Sequence, residues 1–112
     1  MAHQIRHLNE ENIQKFILSP TPTLSIIDFW APWCAPCKEL LPILESLAAT
    51  YGEKIQIGKI DVSHHRALSQ KYEIKSIPTL LFFHHGKLMQ RMVGLKGEAD
   101  MKQVIDRLLA SK

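Results

Sequence analysis

The spacing of apolar positions changes from segment to segment along the chain, and the changes mark its elements. From Leu24 to Trp30 the run Leu-Ser-Ile-Ile-Asp-Phe-Trp is almost continuously apolar, as in a strand covered on both faces. Residues 4–8 read as a short first strand, residues 54–61 as a third, and residues 79–83 with 87–93 as a hairpin about His84-His85-Gly86. Helical spacing takes over elsewhere. Leu8, Ile13, Phe16 and Ile17 share one face of a helix that Asn9 caps and that runs to about Leu18, where Pro20 and Pro22 end it. A long amphipathic helix spans residues 34–51, stopped by Gly52 and holding Pro42, whose missing N–H predicts a kink. Ser63 caps a short helix to about Tyr72, and residues 98–109 form a last amphipathic helix.

The resulting order, βαβαβαββα, alternates strands and helices first and ends on a hairpin and a helix. It predicts an α/β sandwich with a central mixed five-stranded sheet flanked by four helices, parallel first and antiparallel last. No linker, repeat or low-complexity stretch interrupts the chain, so the expectation is one domain over residues 1–112. With 46% hydrophobic residues, a chain of 112 residues can build a core without staples.

Charge narrows the function classes. The net charge is +3, yet no two Lys or Arg residues are adjacent and the 14 basic residues interleave with 11 acidic ones. No stripe follows a phosphate backbone, which argues against nucleic acid as a partner. The longest apolar runs, such as Leu80-Leu81-Phe82-Phe83, fall far short of a membrane span, and the start Met1-Ala2-His3-Gln4-Ile5 has no apolar targeting core. The expectation is a cytoplasmic protein with no membrane partner.

Chemistry concentrates in Trp33-Cys34-Ala35-Pro36-Cys37-Lys38, which holds both cysteines of the chain. If Cys34 opens the long helix, free backbone N–H groups and the positive end of the helix dipole favour its thiolate. Cys37, three positions on, lies about 5 Å away between α-carbons, within reach of a disulfide. As a structural staple the pair is poor: closing about four residues stabilises by roughly 2 kcal/mol, against nearly 5 for a loop of about 100. A zinc site normally needs four ligands, and a single Cys-x-x-Cys supplies two, leaving histidines to complete it. A redox dithiol is the preferred reading, with Cys34 the exposed nucleophile. In a reducing compartment a lone Cys-x-x-Cys is more often catalytic than structural.

Such a dithiol needs a base, because Cys37 must lose a proton before it attacks the mixed disulfide. Asp28 stands in the middle of the apolar strand, where lost hydration raises a carboxyl pKa towards neutrality. The alternative is an aspartate on an exposed strand face. His64-His65 and His84-His85 read as solvated surface pairs, and Met89, Met92 and Met101 as core or near-core filling.

Taken together, Ile27-Asp28-Phe29-Trp30, Trp33-Cys34-Ala35-Pro36-Cys37-Lys38, Gly58-Lys59-Ile60-Asp61, Ile77-Pro78-Thr79-Leu80 and Val93-Gly94 resemble the thioredoxin family over essentially the whole chain. Two positions depart from the commonest pattern: Ala35, where glycine is usual, and Ser76, where a small residue, often glycine, precedes Ile-Pro. The resemblance implies the thioredoxin fold and a protein-disulfide reductase with no cofactor beyond its own Cys34-Cys37 couple. It places Lys59 beside Asp28 as a tuning cation and makes the Ile77-Pro78 bond cis, beside backbone that pairs with substrate. It also gathers Trp33, Ala35, Pro36, Ile77, Val93 and Gly94 into an apolar apron around Cys34. Trp30 either packs beneath that site or fills the core. The implied partners are disulfide-containing proteins and an NADPH-dependent flavoprotein, thioredoxin reductase, acting on a monomer. Two other readings remain: a specialised extracytoplasmic thiol-disulfide oxidoreductase, and a non-catalytic binding subunit that uses the apron without turnover.

Overall fold

A computed structural model describes residues 5–111. Strands β1 (Ile5–His7), β2 (Leu24–Trp30), β3 (Ile55–Asp61), β4 (Thr79–His84) and β5 (Lys87–Val93) alternate with helices α1 (Ile13–Ile17), α2 (Ala35–Tyr51), α3 (Arg66–Lys71) and α4 (Glu98–Ala110). The strands form one sheet in the order β1-β3-β2-β4-β5. Pairings of β3 with β1 and β2 are parallel, and those of β4 with β2 and β5 antiparallel. The mixed five-stranded sheet with four helices agrees with the sequence reading.

Period-two alternation in β2 distributes its side chains between two cores. Leu24 and Ile26 join Leu40, Leu44 and Leu47 of α2 and Met101, Ile105 and Leu108 of α4. Ile27 and Phe29 join Ile13, Phe16 and Ile17 of α1 and Leu68 of α3 on the other side. Both faces of β2 are therefore covered, which is why its sequence is apolar nearly throughout. Gly58 of β3 is required by close packing: a Cβ there would lie 2.5 Å from Leu8 Cδ1 and 3.2 Å from Phe16 Cζ.

Element ends depart from the sequence reading wherever side chains or turns capture the backbone. β1 begins at Ile5, with Gln4 outside the described residues, and Leu8 continues the pairing only through its N–H to the Lys59 carbonyl (2.9 Å). Asn9 does not cap α1 directly. Its Oδ1 accepts from the N–H groups of Glu11 and Asn12 in a preceding turn, which delays the helix to Ile13. Likewise Ser63 is held by Asp61 Oδ1, accepting from its N–H at 2.9 Å, so α3 starts at Arg66 instead. Lys54 belongs to a single 3-10 turn, Gly52–Lys54, that opens on Gly52 (φ +57°). α2 runs on through Pro42 to Tyr51.

Two readings of burial are corrected. His84 is the last residue of β4 and is buried, because the hairpin tip is only His85-Gly86, both at positive φ (+53° and +80°) as a tight two-residue turn demands. Its ring lies tilted against that of His85, with centroids 4.1 Å apart. Met89 is 49% exposed on the edge strand β5 rather than core, whereas Met101 is fully buried and Met92 packs partly against the core.

Candidate active site

The site lies where β2 ends and α2 begins. Cys34 is the N-cap of α2, with extended backbone (φ −97°, ψ 108°), and its Sγ accepts from the N–H of Cys37 at 3.2 Å. That N–H is one of the unpaired donors at a helix start, so the sulfur sits where negative charge is stabilised. Pro36 occupies the second helical position, where a missing N–H costs nothing. Cys34 and Cys37 are joined as a disulfide with α-carbons 5.3 Å apart. Against expectation, Cys34 is nearly as covered as Cys37, at 6% and 3% exposure. Both cysteines pack with Ala31, and with Trp30, Val62 and Ile77 at the edge of the cluster.

Asp28 lies directly beneath. It is 2% exposed, and its Oδ1 has no hydrogen-bond partner. Burial pushes its carboxyl up to about 7, while the nearby Lys59 ammonium opposes the rise. Asp28, Trp30, Cys37, Lys38, Leu41 and Lys59 line a cavity of about 40 Å3, enough for a water molecule. Lys59 is the register partner of Asp28 across β2 and β3, and its Nζ stands 4.7 Å from the centroid of the Trp30 ring.

The surroundings of Cys34 are open and apolar. Trp33 is 71% exposed, Ala35 and Pro36 are also exposed, and Val93 lies at the exposed end of β5. The Ile77-Pro78 bond is cis, and the N–H of Gly94 donates to the Pro78 carbonyl at 2.7 Å, which ties the two segments together. Gly94 holds φ +89° with nothing within 4 Å of where a Cβ would be, so it combines a left-handed backbone with open space. Among the described residues there is no group of three or more His, Cys, Asp or Glu that could hold a metal, and no helix long and apolar enough to cross a membrane.

The Thioredoxin family model matches residues 4–107. The chain belongs to the thioredoxin family. It is 42% identical over 86 residues to a thioredoxin of Staphylococcus aureus strain Mu50, covering 77% of this chain and 83% of that protein. Among solved structures, it is similar to a mutant thioredoxin from Halobacterium salinarum NRC-1, at TM-score 0.89 and 27% identity over 99% of this chain and 96% of the other. A thioredoxin of Malassezia sympodialis is similar at TM-score 0.83 and 27% identity, over 96% and 92% of the two chains. With its Cys34-Cys37 pair, the chain is a thioredoxin-type protein-disulfide oxidoreductase.

Within this thioredoxin fold, Asp28, Cys37 and Lys59 meet at one cavity. Trp30 proves to be part of the same cavity wall, a placement the sequence left open between the site and the core. Leu41 was missed, although it follows Cys37 by one helical turn and so had to share its face. Leu95, 40% exposed just after Gly94, extends the apolar surface by one residue.

Proposed function

We propose that the chain is a general protein-disulfide reductase of the cytoplasm, acting as a monomeric, single-domain electron carrier in thiol redox homeostasis. Cys34, at the helix start, is the nucleophile: its thiolate attacks one sulfur of a substrate disulfide and expels the other as a thiolate. Asp28 then takes the Cys37 proton, and the Cys37 thiolate attacks Cys34 Sγ. The second substrate sulfur leaves reduced, and the Cys34-Cys37 disulfide remains. Two electrons from NADPH, delivered by the flavoprotein thioredoxin reductase, restore the dithiol.

The observation that carries this reading is the buried, unpartnered Asp28 carboxyl in one cavity with Cys37. A carboxyl pushed up to about 7 by burial is matched to proton transfer near neutral pH. Lys59 tunes it from the neighbouring strand. Trp33, Ala35, Pro36, Ile77, Val93 and Gly94 receive an extended substrate segment, and Pro78 fixes the backbone beside it. The exposure of Trp33 and Val93 and the open space over Gly94 support that role. Chemistry rests on the Cys34-Cys37 couple alone, with no cofactor.

Equilibration of the couple with glutathione tests the assignment. A cytoplasmic reductase has a potential near about −270 mV, whereas a value near about −120 mV marks an oxidant and would assign the chain to an extracytoplasmic role instead.

A further inference from the structure

Asp28 and Lys59 face each other in register on adjacent strands, the arrangement from which a buried ion pair ordinarily forms. None forms here. Among the described residues Lys102 pairs with Glu98, and the histidines His64 and His65 lie against Asp61 and Glu10, whereas Asp28 Oδ1 is left with no partner. The Lys59 ammonium lies instead over the indole face of Trp30, 4.7 Å from its centroid. Trp30 stands two residues beyond Asp28 in β2 and therefore on the same face of the sheet. The negative face of an indole attracts a cation at this distance, and the half-buried Lys59 keeps water contact there that it would lose against Asp28.

We infer that Trp30 is a positioning residue for thiol-disulfide exchange: its ring holds the Lys59 ammonium away from Asp28 and so keeps the carboxyl unpaired beside Cys37. This rests on the reading of Asp28 as the base for Cys37. An ammonium paired with Asp28 would favour the ionised form and leave it a weak proton acceptor. Held on the indole, Lys59 moderates the effect of burial without cancelling it. The other groups facing Asp28 offer no competing cation seat. Around the cavity, α2 contributes Cys37, Leu41 and the surface residue Lys38, while Met101, Ile105 and Leu108 of α4 and Leu80 and Phe82 of β4 face the same core and are apolar. The indole Nε1 of Trp30 is buried and has no partner, so packing against Ala31, Cys34 and Cys37, not a hydrogen bond, sets the ring in place.

The test follows the Asp28 carboxyl carbon resonance with pH in the oxidised protein. In Trp30→Leu the Asp28 midpoint falls by about one pH unit or more, because Lys59 is released onto the carboxylate. With Lys59→Met added the fall disappears, and Trp30→Phe, which keeps an aromatic face, shows a smaller fall than Trp30→Leu. An unchanged midpoint in Trp30→Leu overturns the inference, as does a fall of equal size with methionine at position 59, which would trace it to hydration alone. Should Trp30→Leu fail to fold, the wild-type protein decides: the Lys59 ε-methylene protons are shifted upfield by the indole ring on both sides of the Asp28 titration, and their absence from that region overturns the inference. Turnover of Asp28→Asn is a separate readout. It tests whether Asp28 is the base, whatever holds Lys59.

Discussion

Strand β2 buries two polar side chains, Ser25 and Asp28, and provides for them in opposite ways. Ser25, fully buried, donates from Oγ to the Phe16 carbonyl (3.3 Å) and accepts from Gln56 Nε2 (2.8 Å). Asp28, equally buried, leaves Oδ1 with no partner. The first arrangement is what a fold does with a polar group it must bury: hydrogen bonds replace the water that was lost. The second costs folding free energy, and the cost appears as a carboxyl pushed up to about 7. One end of the strand is built for stability, and the end nearest the disulfide carries the carboxyl we propose for proton transfer.

The largest effect is expected at the two sulfurs. Cys34→Ser lowers reduction of an insulin-type disulfide by on the order of a thousandfold or more, since no other nucleophile stands at the helix start. Cys37→Ser permits the first attack and accumulates a mixed disulfide, visible by mass on a non-reducing gel. Trapping through residue 37 in Cys34→Ser would reverse the roles.

Asp28→Asn divides the two ends of β2 more sharply. It slows turnover at neutral pH by about 10- to 100-fold, through loss of the base, yet stabilises the oxidised protein to urea by about 1 to 3 kcal/mol at pH 8. Ser25→Ala does the converse. It leaves turnover unchanged and lowers stability by about 1 to 2 kcal/mol, because Gln56 loses a partner inside the fold. If both substitutions were destabilising and only mildly slowing, the distinction between a structural and a chemical end of the strand would fail.

The smallest expected effect lies at the hairpin. Burial and the neighbouring His85 hold His84 below its ordinary imidazole value. The unfolded chain therefore binds the proton more readily than the folded one, and stability declines as pH falls from the unfolded value of about 6.5 towards the lower folded one. His84→Phe flattens that decline, as urea midpoints across this range will show.

The sheet, its helices and the Cys-x-x-Cys site were legible in the sequence because they rest on strong periodic or chemical signals. The unbroken apolar run of β2 required cover on both faces, and a single aspartate within it had no ordinary place. Helix starts were less legible. Asn9 and Asp61 capture backbone N–H groups in turns before the helices begin, a competition between local side-chain bonds and helix caps that composition does not resolve. The burial of His84 followed from the length of the hairpin tip, which two adjacent histidines leave undetermined by one residue. The seat of Lys59 on Trp30 depends on where two side chains meet across strands, which only the register supplies.

The central claim, that burial of an unpartnered Asp28 is retained for chemistry at the expense of stability, is tested most directly by the pH dependence of urea unfolding in the oxidised protein and in Asp28→Asn. The folded carboxyl is raised from 3.8 to about 7, so between those values the folded state binds more protons than the unfolded state, and stability falls as pH rises. The account predicts that the wild-type protein loses stability relative to Asp28→Asn across this window and that the difference levels off above about pH 7 to 8. Parallel stability curves for the two proteins would contradict it, because Asp28 would then titrate alike in the folded and unfolded chains.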